Sequence, residues 1–416
     1  MPAKRNKPYK NCTIVLSFEE TVYYDIIRDA KRFREHLYKL IESHPNLFPP
    51  EIKNGFQMKD IRSGNKLEVP IRRIEVAGVA YSIRPSFVLP SMTGYTKDAE
   101  HALFLRKFNV PFWALALVFG ASAMRWWRLE QRLGRYSLVE TTVQKPEDLP
   151  EHIAADEKHS WLNGTKVYIA TICAWGCVLG ASISKAADEA SLKKSYGIFK
   201  AEAQALKPDY QPKSILSDAW AATRLALEAL FPDAVLILCF LHVYLSLRDR
   251  SKYKHGAIFK VVADKLWHCY HAVTQAEFSQ RLRRLHEWAE IADIPDFMKD
   301  KISKLYQQAD AFRAGYVSPF AHRTSNMVDR LMQRMDHHLF STQYFHGDEL
   351  SAELSIRGWA LIHNFAPFSP QAVEQNMGWR CPAEVLNQSR YHENWLQNLL
   401  ISTSLVGLYR PPQKPL

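Results

Sequence analysis

The sequence predicts an α+β chain: a mixed sheet with helices packed on it, an all-α insertion behind its last strand, and a helical helix-turn-helix region in front. Three observations predict this. Between residues 153 and 239 the apolar pattern changes in the order β-β-β-α-β-α-β. Residues 243–314 then turn helical and strongly charged. Between Pro111 and Gly134 two short helices flank a glycine turn.

Residues 1–95 read as a mixed α/β region. Glu19 to Ser43 has a helical pattern with a basic face (Arg28, Lys31, Arg32, Lys39), and Pro45, Pro49 and Pro50 break it. Lys66–Ile83 alternates as a strand does, and Pro85 and Pro90 close that piece. Residues 96–145 read as the helix-turn-helix domain. Ala99–Phe108 is its first helix. Pro111 starts the second, Pro111–Phe119, where a missing N–H costs least. Gly120 makes the turn, Ser122 caps the third helix, and Gly134 ends it. Arg125, Arg128 and Arg132 share one face of that third helix, while Trp126, Leu129 and Leu133 share the adjacent one. Such a helix suits a major groove, and it equally suits a solvated surface.

Residues 150–370 hold the mixed sheet and its insertion. Gln144–His152 reads as a linker. The expected strands are Ile153–Asp156, Thr165–Ile172, Cys177–Ser184, Ser214–Ser217 and Ala234–Cys239; the expected helices are Asp188–Leu206 and Ala219–Leu230. In the insertion, 243–314, the apolar anchors are Leu266, Trp267, Leu282, Leu285, Trp288 and Phe297, and Pro319 ends it. Helices over Thr324–Phe340 and Leu350–Phe365 follow. Residues 371–416, with Pro382, Pro411, Pro412 and Pro415, read as an irregular tail.

Composition bounds the function classes. The 416 residues are 47% apolar and 23% charged, the balance of a globular protein and not of a disordered chain or a rod. The formal net charge is +11, which favours a polyanionic partner. Residues 1–150 hold 24 Lys/Arg against 16 Asp/Glu, and residues 151–416 hold 30 against 27, so most of the excess is N-terminal. No apolar run reaches the roughly 20 residues that span a bilayer, so no membrane segment is expected. The apolar run Cys12–Phe18 is too short for a signal peptide, and the six cysteines form no Cys-x-x-Cys pair, which together point to a reduced, cytoplasmic protein. No phosphate-binding glycine loop, nucleophile elbow or dinucleotide fingerprint occurs.

Three acids stand at informative places. Asp156 ends the first expected strand, Asp218 follows the fourth, and Asp329 lies in the helix after the insertion. Strands one and four can be neighbours in a sheet of this order, and a later helix can deliver a third acid beside them. Clustered carboxylates repel unless cations lie between them, and two Mg²⁺ or Mn²⁺ ions with oxygen ligands answer that need. Such a pair serves phosphoryl transfer. Each acid has a plainer reading too. Asp156 fits a surface charge and Asp218 a helix N-cap. Asp329 has no Lys or Arg three or four residues away to make a helix salt bridge. Cys239 and His242 end the fifth strand; two ligands do not make a zinc site, and a buried Cys beside an orienting His is the simpler reading.

Four stretches in order resemble bacterial insertion-sequence transposases of the Mutator-like group, which carry an RNase H-like catalytic domain of the DDE type. They are Ala-Asp-Glu-Lys-His (155–159), Ser-Asp-Ala-Trp-Ala-Ala-Thr (217–223), Cys-Phe-Leu-His (239–242) and Arg-Thr-Ser-Asn-Met-Val-Asp-Arg (323–330). Cys239 lies 21 residues after Asp218, and Asp329 lies 111 after it, which leaves room for the helical insertion. Ala219 stands where the group often has Gly, and the third acid is Asp where Glu is usual, so Glu353 is the reserve third acid and Asp336 a weaker one. The resemblance implies that Asp156, Asp218 and Asp329 bind two Mg²⁺ (or Mn²⁺) ions. It further implies a DNA transposase that binds element ends, nicks DNA and joins the freed 3′-hydroxyl to target DNA, as a homodimer or larger assembly associated with the nucleoid. Lys158, Trp220, Arg323 and Arg330 are the candidates for positioning phosphates. Two other readings are a transposase-derived DNA-binding protein without chemistry and a metal-dependent RNase H-like nuclease.

Overall fold

The computed structural model describes residues 11–63, 67–318 and 320–409. Lys66, Pro319, Pro411, Pro412 and Pro415 lie outside the described residues. The chain is a mixed α/β structure with two sheets.

The first sheet has strands β1 (Thr13–Leu16), β2 (Gln57–Ser63), β3 (Pro70–Val76) and β4 (Val79–Pro85) in the order β1-β4-β3-β2. The single alternating strand expected up to Ile83 is a hairpin, because Ala77 and Gly78 both take positive φ (47° and 77°), the backbone of a two-residue turn. The long helix expected from Glu19 is two helices, α1 (Glu20–Ile26) and α2 (Ala30–Ser43). Asp29 breaks it: its carboxylate accepts from the amides of Lys31 and Arg32, so the chain restarts with a new cap.

Three helices follow: α3 (Glu100–Arg106), α4 (Phe112–Phe119) and α5 (Ala123–Leu133). Ser122 caps α5 as its sequence suggests, its Oγ accepting from Arg125 N. Pro111 precedes the first turn of α4 and does not form part of it. Trp126, Leu129 and Leu133 are buried, as the spacing predicts, but so are Glu130 and Gln131. They are buried because α5 lies against α15 (Glu349–Phe365) over a seam of two glycines. A Cβ on Gly134 would fall 1.9 Å from the Leu354 carbonyl oxygen, and one on Gly358 would fall 2.4 Å from that of Glu130. Neither backbone can yield alone. Gly358→Ala is therefore expected to force the two helices apart and cost about 1–3 kcal/mol or more, read as a drop in urea midpoint. An unchanged midpoint would show that the two helices are free to separate at no cost.

A short helix, α6 (Leu138–Thr142), leads to the second sheet: β5 (His152–Leu162), β6 (Thr165–Ala174), β7 (Cys177–Ser184), β8 (Ser214–Ser217) and β9 (Val235–Leu238). Its order is β7-β6-β5-β8-β9. The β5–β6–β7 part is antiparallel, while β8 runs parallel to β5 and β9 parallel to β8. Helices α7 (Glu189–Leu206) and α8 (Ala221–Leu230) make the two crossovers and bury Leu192, Phe199, Ala226 and Leu227 with Ile153, Ala155 and Ile172 on one face. The other face carries α14 (Asn326–Ser341) and α15. Strand order and boundaries follow the expected pattern, except that β5 runs six residues past Asp156.

The insertion is all-α: α9 (Phe240–Ser251), α10 (Gly256–Tyr270), α11 (Gln275–Ile291), α12 (Asp296–Gln307) and α13 (Ala309–Arg313). It has its own core of Leu266, Leu282, Leu285, Met298 and Ile302. Trp267, Trp288 and Phe297 are only half-buried at its edge. The expected irregular tail holds three helices, α16 (Pro370–Gln375), α17 (Pro382–Asn387) and α18 (Trp395–Ser402). Pro370 and Pro382 occupy first-turn positions, where proline starts a helix and does not break it. Beyond α18, Ser404 Oγ accepts from Val15 N and donates to the Leu47 carbonyl, which ties the C-terminal part to the first sheet. Cys173, Cys177, Cys239, Cys269 and Cys381 form no disulfide. No described helix is long and apolar enough to cross a membrane.

Candidate active site

Strand register brings two of the acids together. Ala154 on β5 lies opposite Leu216 on β8, so Asp156 and Asp218, each two residues further along parallel strands, reach the same level. Asp218 stands just past the end of β8, and Asp329 in the first turn of α14, which packs on β5. Asp156 and Asp218 line one small pocket with Ala155, Leu216, Ser217, His242, Ser325 and Val328. One oxygen of each carboxylate is fixed by a donor. Asp156 Oδ1 accepts from Glu157 N (2.8 Å), Asp218 Oδ1 from Trp220 N (3.0 Å), and Asp329 Oδ2 from Ser325 Oγ (2.8 Å). The opposite oxygens make no hydrogen bond among the described residues.

The electrostatics are those of a crowded anionic site. Burial pushes the Asp156 carboxyl up to about 6, and the Asp218 and Asp329 charges add to that rise. Lys158, two residues along β5, does not relieve it, because its Nζ is bonded to Asp336. His242 is the compensating group. Cys239 beside it, followed by the Asp156 and Asp218 charges, holds its imidazole up to about 9 against the pull of burial. Burial pushes the Cys239 thiol up, but His242 outweighs this and leaves it below the ordinary value. Cys239 also reaches the third acid. Ser325 N donates to Cys239 Sγ (3.2 Å), Cys239 Sγ donates to Ser325 Oγ (3.2 Å), and Ser325 Oγ donates to Asp329. The cysteine of the Cys-x-x-His pair thus braces the third carboxylate through Ser325.

Among the described residues, no three His, Cys, Asp or Glu side chains close around a single point to hold an ion between them. The chemistry still fits Mg²⁺, which takes one or two protein carboxylates and completes its shell with water and substrate phosphate. Asp156 with Asp218, and Asp156 with Asp329, would supply such pairs, and their repulsion at Asp156 is what a cation removes.

The remaining sequence candidates fall elsewhere. Arg125 and Arg128 are exposed on α5, and Arg132 is half-buried, its guanidinium lowered by burial and by Arg135 and Arg128. Arg323 is held between rings, 5.3 Å over Tyr270 and 4.6 Å over Tyr316, which anchors the insertion. Arg330 is exposed next to Asp329. Asp336 is bonded to Lys158. Glu353 is buried under β7, its Oε2 accepting from Ile183 N (2.6 Å) and its Oε1 without a partner. Neither it nor Asp329 lines the pocket of Asp156 and Asp218, but Asp329 acts on the Asp156 charge and Glu353 does not figure there.

Glu353 has a consequence for stability. Burial pushes it up to about 7 from its ordinary 4.5, with Arg357 opposing. A raised acid stabilises the fold while protonated, and that stability is lost as pH rises from about 4.5 through about 7, up to about 3 kcal/mol. Glu353→Gln should therefore gain on the wild type between pH 5 and pH 8 in urea unfolding. A difference between the two proteins that stays constant with pH would contradict this.

Two participants carry no signal that spacing could reveal. Ser325 matters only because α14 begins beside Cys239. Glu157 accepts from Tyr196 Oη and Thr223 Oγ1 (both 2.7 Å) on the opposite face of β5 from Asp156. Strand alternation across the Asp-Glu pair is the one hint of it. No known protein-family model matches this chain, and no curated protein matches it significantly.

Proposed function

We propose that this chain is a DDE-type DNA transposase with an RNase H-like catalytic domain. The observation that carries the reading is Asp156, mid-β5, level with Asp218 at the end of β8 in one pocket, with the charge of Asp329 from the first turn of α14 acting on Asp156 and none of the three paired to Lys or Arg among the described residues. The strand order β7-β6-β5-β8-β9, antiparallel then parallel, supports it, as does the ordered motif set. Asp156, Asp218 and Asp329 would hold two Mg²⁺ or Mn²⁺ ions. Bound there, such ions supply charge stabilisation at the attacking and leaving oxygens of phosphoryl transfer.

The chain's own groups do the rest. Trp220 N, Glu157 N and Ser325 Oγ orient the three carboxylates, so little reorganisation is needed when DNA arrives. Cys239 and the Asp156 and Asp218 charges favour the charged form of His242, which would offset part of the carboxylate charge. Arg125, Arg128 and Arg132 on α5 follow α4 across the Gly120 turn and would contact DNA as a helix-turn-helix does. Two element ends must be held together for strand transfer, so two or more copies act. The test is incubation with DNA carrying the sequences that flank this gene, where the reading expects inverted repeats. Nicked and then joined strands, dependent on Mg²⁺, are expected. Cutting without joining on every sequence would favour a nuclease, and tight binding without cutting a DNA-binding protein.

A further inference from the structure

The β5–β6 hairpin projects beyond the helices that cover its base. On the face shared with α7 and α8, its outer cross-strand pairs are Trp161 with Lys166 and His159 with Tyr168, while the next pair inward, Glu157 with Ala170, is buried. Trp220, just after Asp218, sets its ring against Tyr168 edge-on (centroids 6.2 Å apart). His159 meets the same ring from its own strand (5.0 Å), and Lys166 Nζ stands 5.1 Å from its centroid. Trp161 is 44% exposed and Trp220 37%, although both are large rings that folding usually covers. The five residues form a strip of three aromatic rings, an imidazole and an ammonium with no carboxylate among them. It runs from the hairpin tip to Trp220, whose backbone amide binds Asp218.

We propose that this strip, on the face of β5 opposite the Asp156 side chain and joined to Asp218 only through Trp220, is a stacking platform for unpaired nucleotides of a DNA strand. Aromatic faces interleaved with cations are what single strands bind, since every base has a π-face and every linkage a charge. The net charge of +11 suits a polyanion, and Lys166 supplies a local cation. Successive cross-strand rows on one face stand ~6.8 Å apart, two residues along an antiparallel strand, against the 3.4 Å step of stacked bases in a duplex. The spacing therefore suits splayed bases and not a paired helix. The role beside a cleavage pocket rests on the transposase reading; the binding itself does not.

The test is fluorescence anisotropy of the full chain with a labelled oligothymidine of about 12 nucleotides, in EDTA so that no strand is cut. Trp161→Ala, Tyr168→Ala and Trp220→Ala should each weaken binding about five- to hundredfold, and Tyr168→Phe and Trp220→Phe should keep most of it. The salt dependence should stay the same in the alanine variants and fall by about 0.7 in slope in Lys166→Ala. Trp161 is the least packed of the three, so its variant reads binding even where Trp220→Ala lowers the melting temperature. Wild-type affinity in Trp161→Ala and Tyr168→Ala would overturn the proposal, and so would an equal loss for a duplex of the same length. If the wild type binds the oligothymidine but never cuts or joins DNA, the platform stands and the transposase reading falls. If it cuts and the alanine variants bind normally, the reverse holds.

Discussion

Asp218→Ala is expected to abolish the Mg²⁺-dependent strand cleavage proposed for this chain and to leave the folded protein at least as stable as the wild type in EDTA. The two halves of this expectation have one cause. Asp218 lies level with Asp156 on the neighbouring strand and helps hold its carboxyl up to about 6. Removing it would delete one of the carboxylates proposed to hold the cations, a loss of several kcal/mol of transition-state stabilisation and so about 10³-fold or more in rate. It also removes a repulsion that the empty site must tolerate. A gel assay of strand cleavage reads the first effect and a melting curve in EDTA the second. A variant that loses cleavage only because it unfolds would contradict the account. So would one that cleaves as the wild type does.

Arg106→Ala is expected to cost about 3–5 kcal/mol of stability, because it strands a buried carboxylate without its partner. Arg106 and Glu130 are each only 1% exposed, and Arg106 Nε donates to Glu130 Oε2 at 2.7 Å. The guanidinium also donates to the Val110 carbonyl (2.7 Å) and stacks 4.1 Å from the Phe112 ring. Beside it, His338 on α14 is held well below its ordinary value by burial and by the Arg106 charge, so the imidazole is neutral. Alanine at 106 leaves the buried Glu130 carboxyl without its guanidinium partner. The double change Arg106→Met, Glu130→Leu should recover most of the loss, because the cost lies in the orphaned carboxylate and not in a missing attraction. Urea unfolding of the two variants separates these cases. A double variant as unstable as the single one would show that the pair itself, and not its desolvation, holds α3, α5 and α14 together.

How much of this was legible follows from what each segment's sequence encodes locally. Strands β7 and β8 and helix α5 stand where the sequence puts them, since apolar run, cap and glycine stop all agree. Strand β2 was not legible, because Gln57–Ser63 is almost wholly exposed and polar and shows no alternation. The break at Asp29 was hidden by the helical pattern on both sides. The tail helices were hidden by prolines that start helices as readily as they end them. At the candidate site, Asp218 was legible as a strand-end acid, whereas Asp156, expected at a strand end, lies in the middle of β5. Their meeting depends on parallel register, and the brace from Cys239 through Ser325 to Asp329 depends on tertiary packing, so neither could be read from spacing.

The central claim is that these three carboxylates form a divalent-metal site for DNA. Electron paramagnetic resonance of Mn²⁺, titrated into the full chain bound to an element-end oligonucleotide, tests it most directly. The account predicts two bound Mn²⁺ ions per chain, with Asp156→Asn losing both and Asp218→Asn or Asp329→Asn losing at least one. Stoichiometric Mn²⁺ binding that survives all three substitutions, or no binding by the wild type, would contradict it.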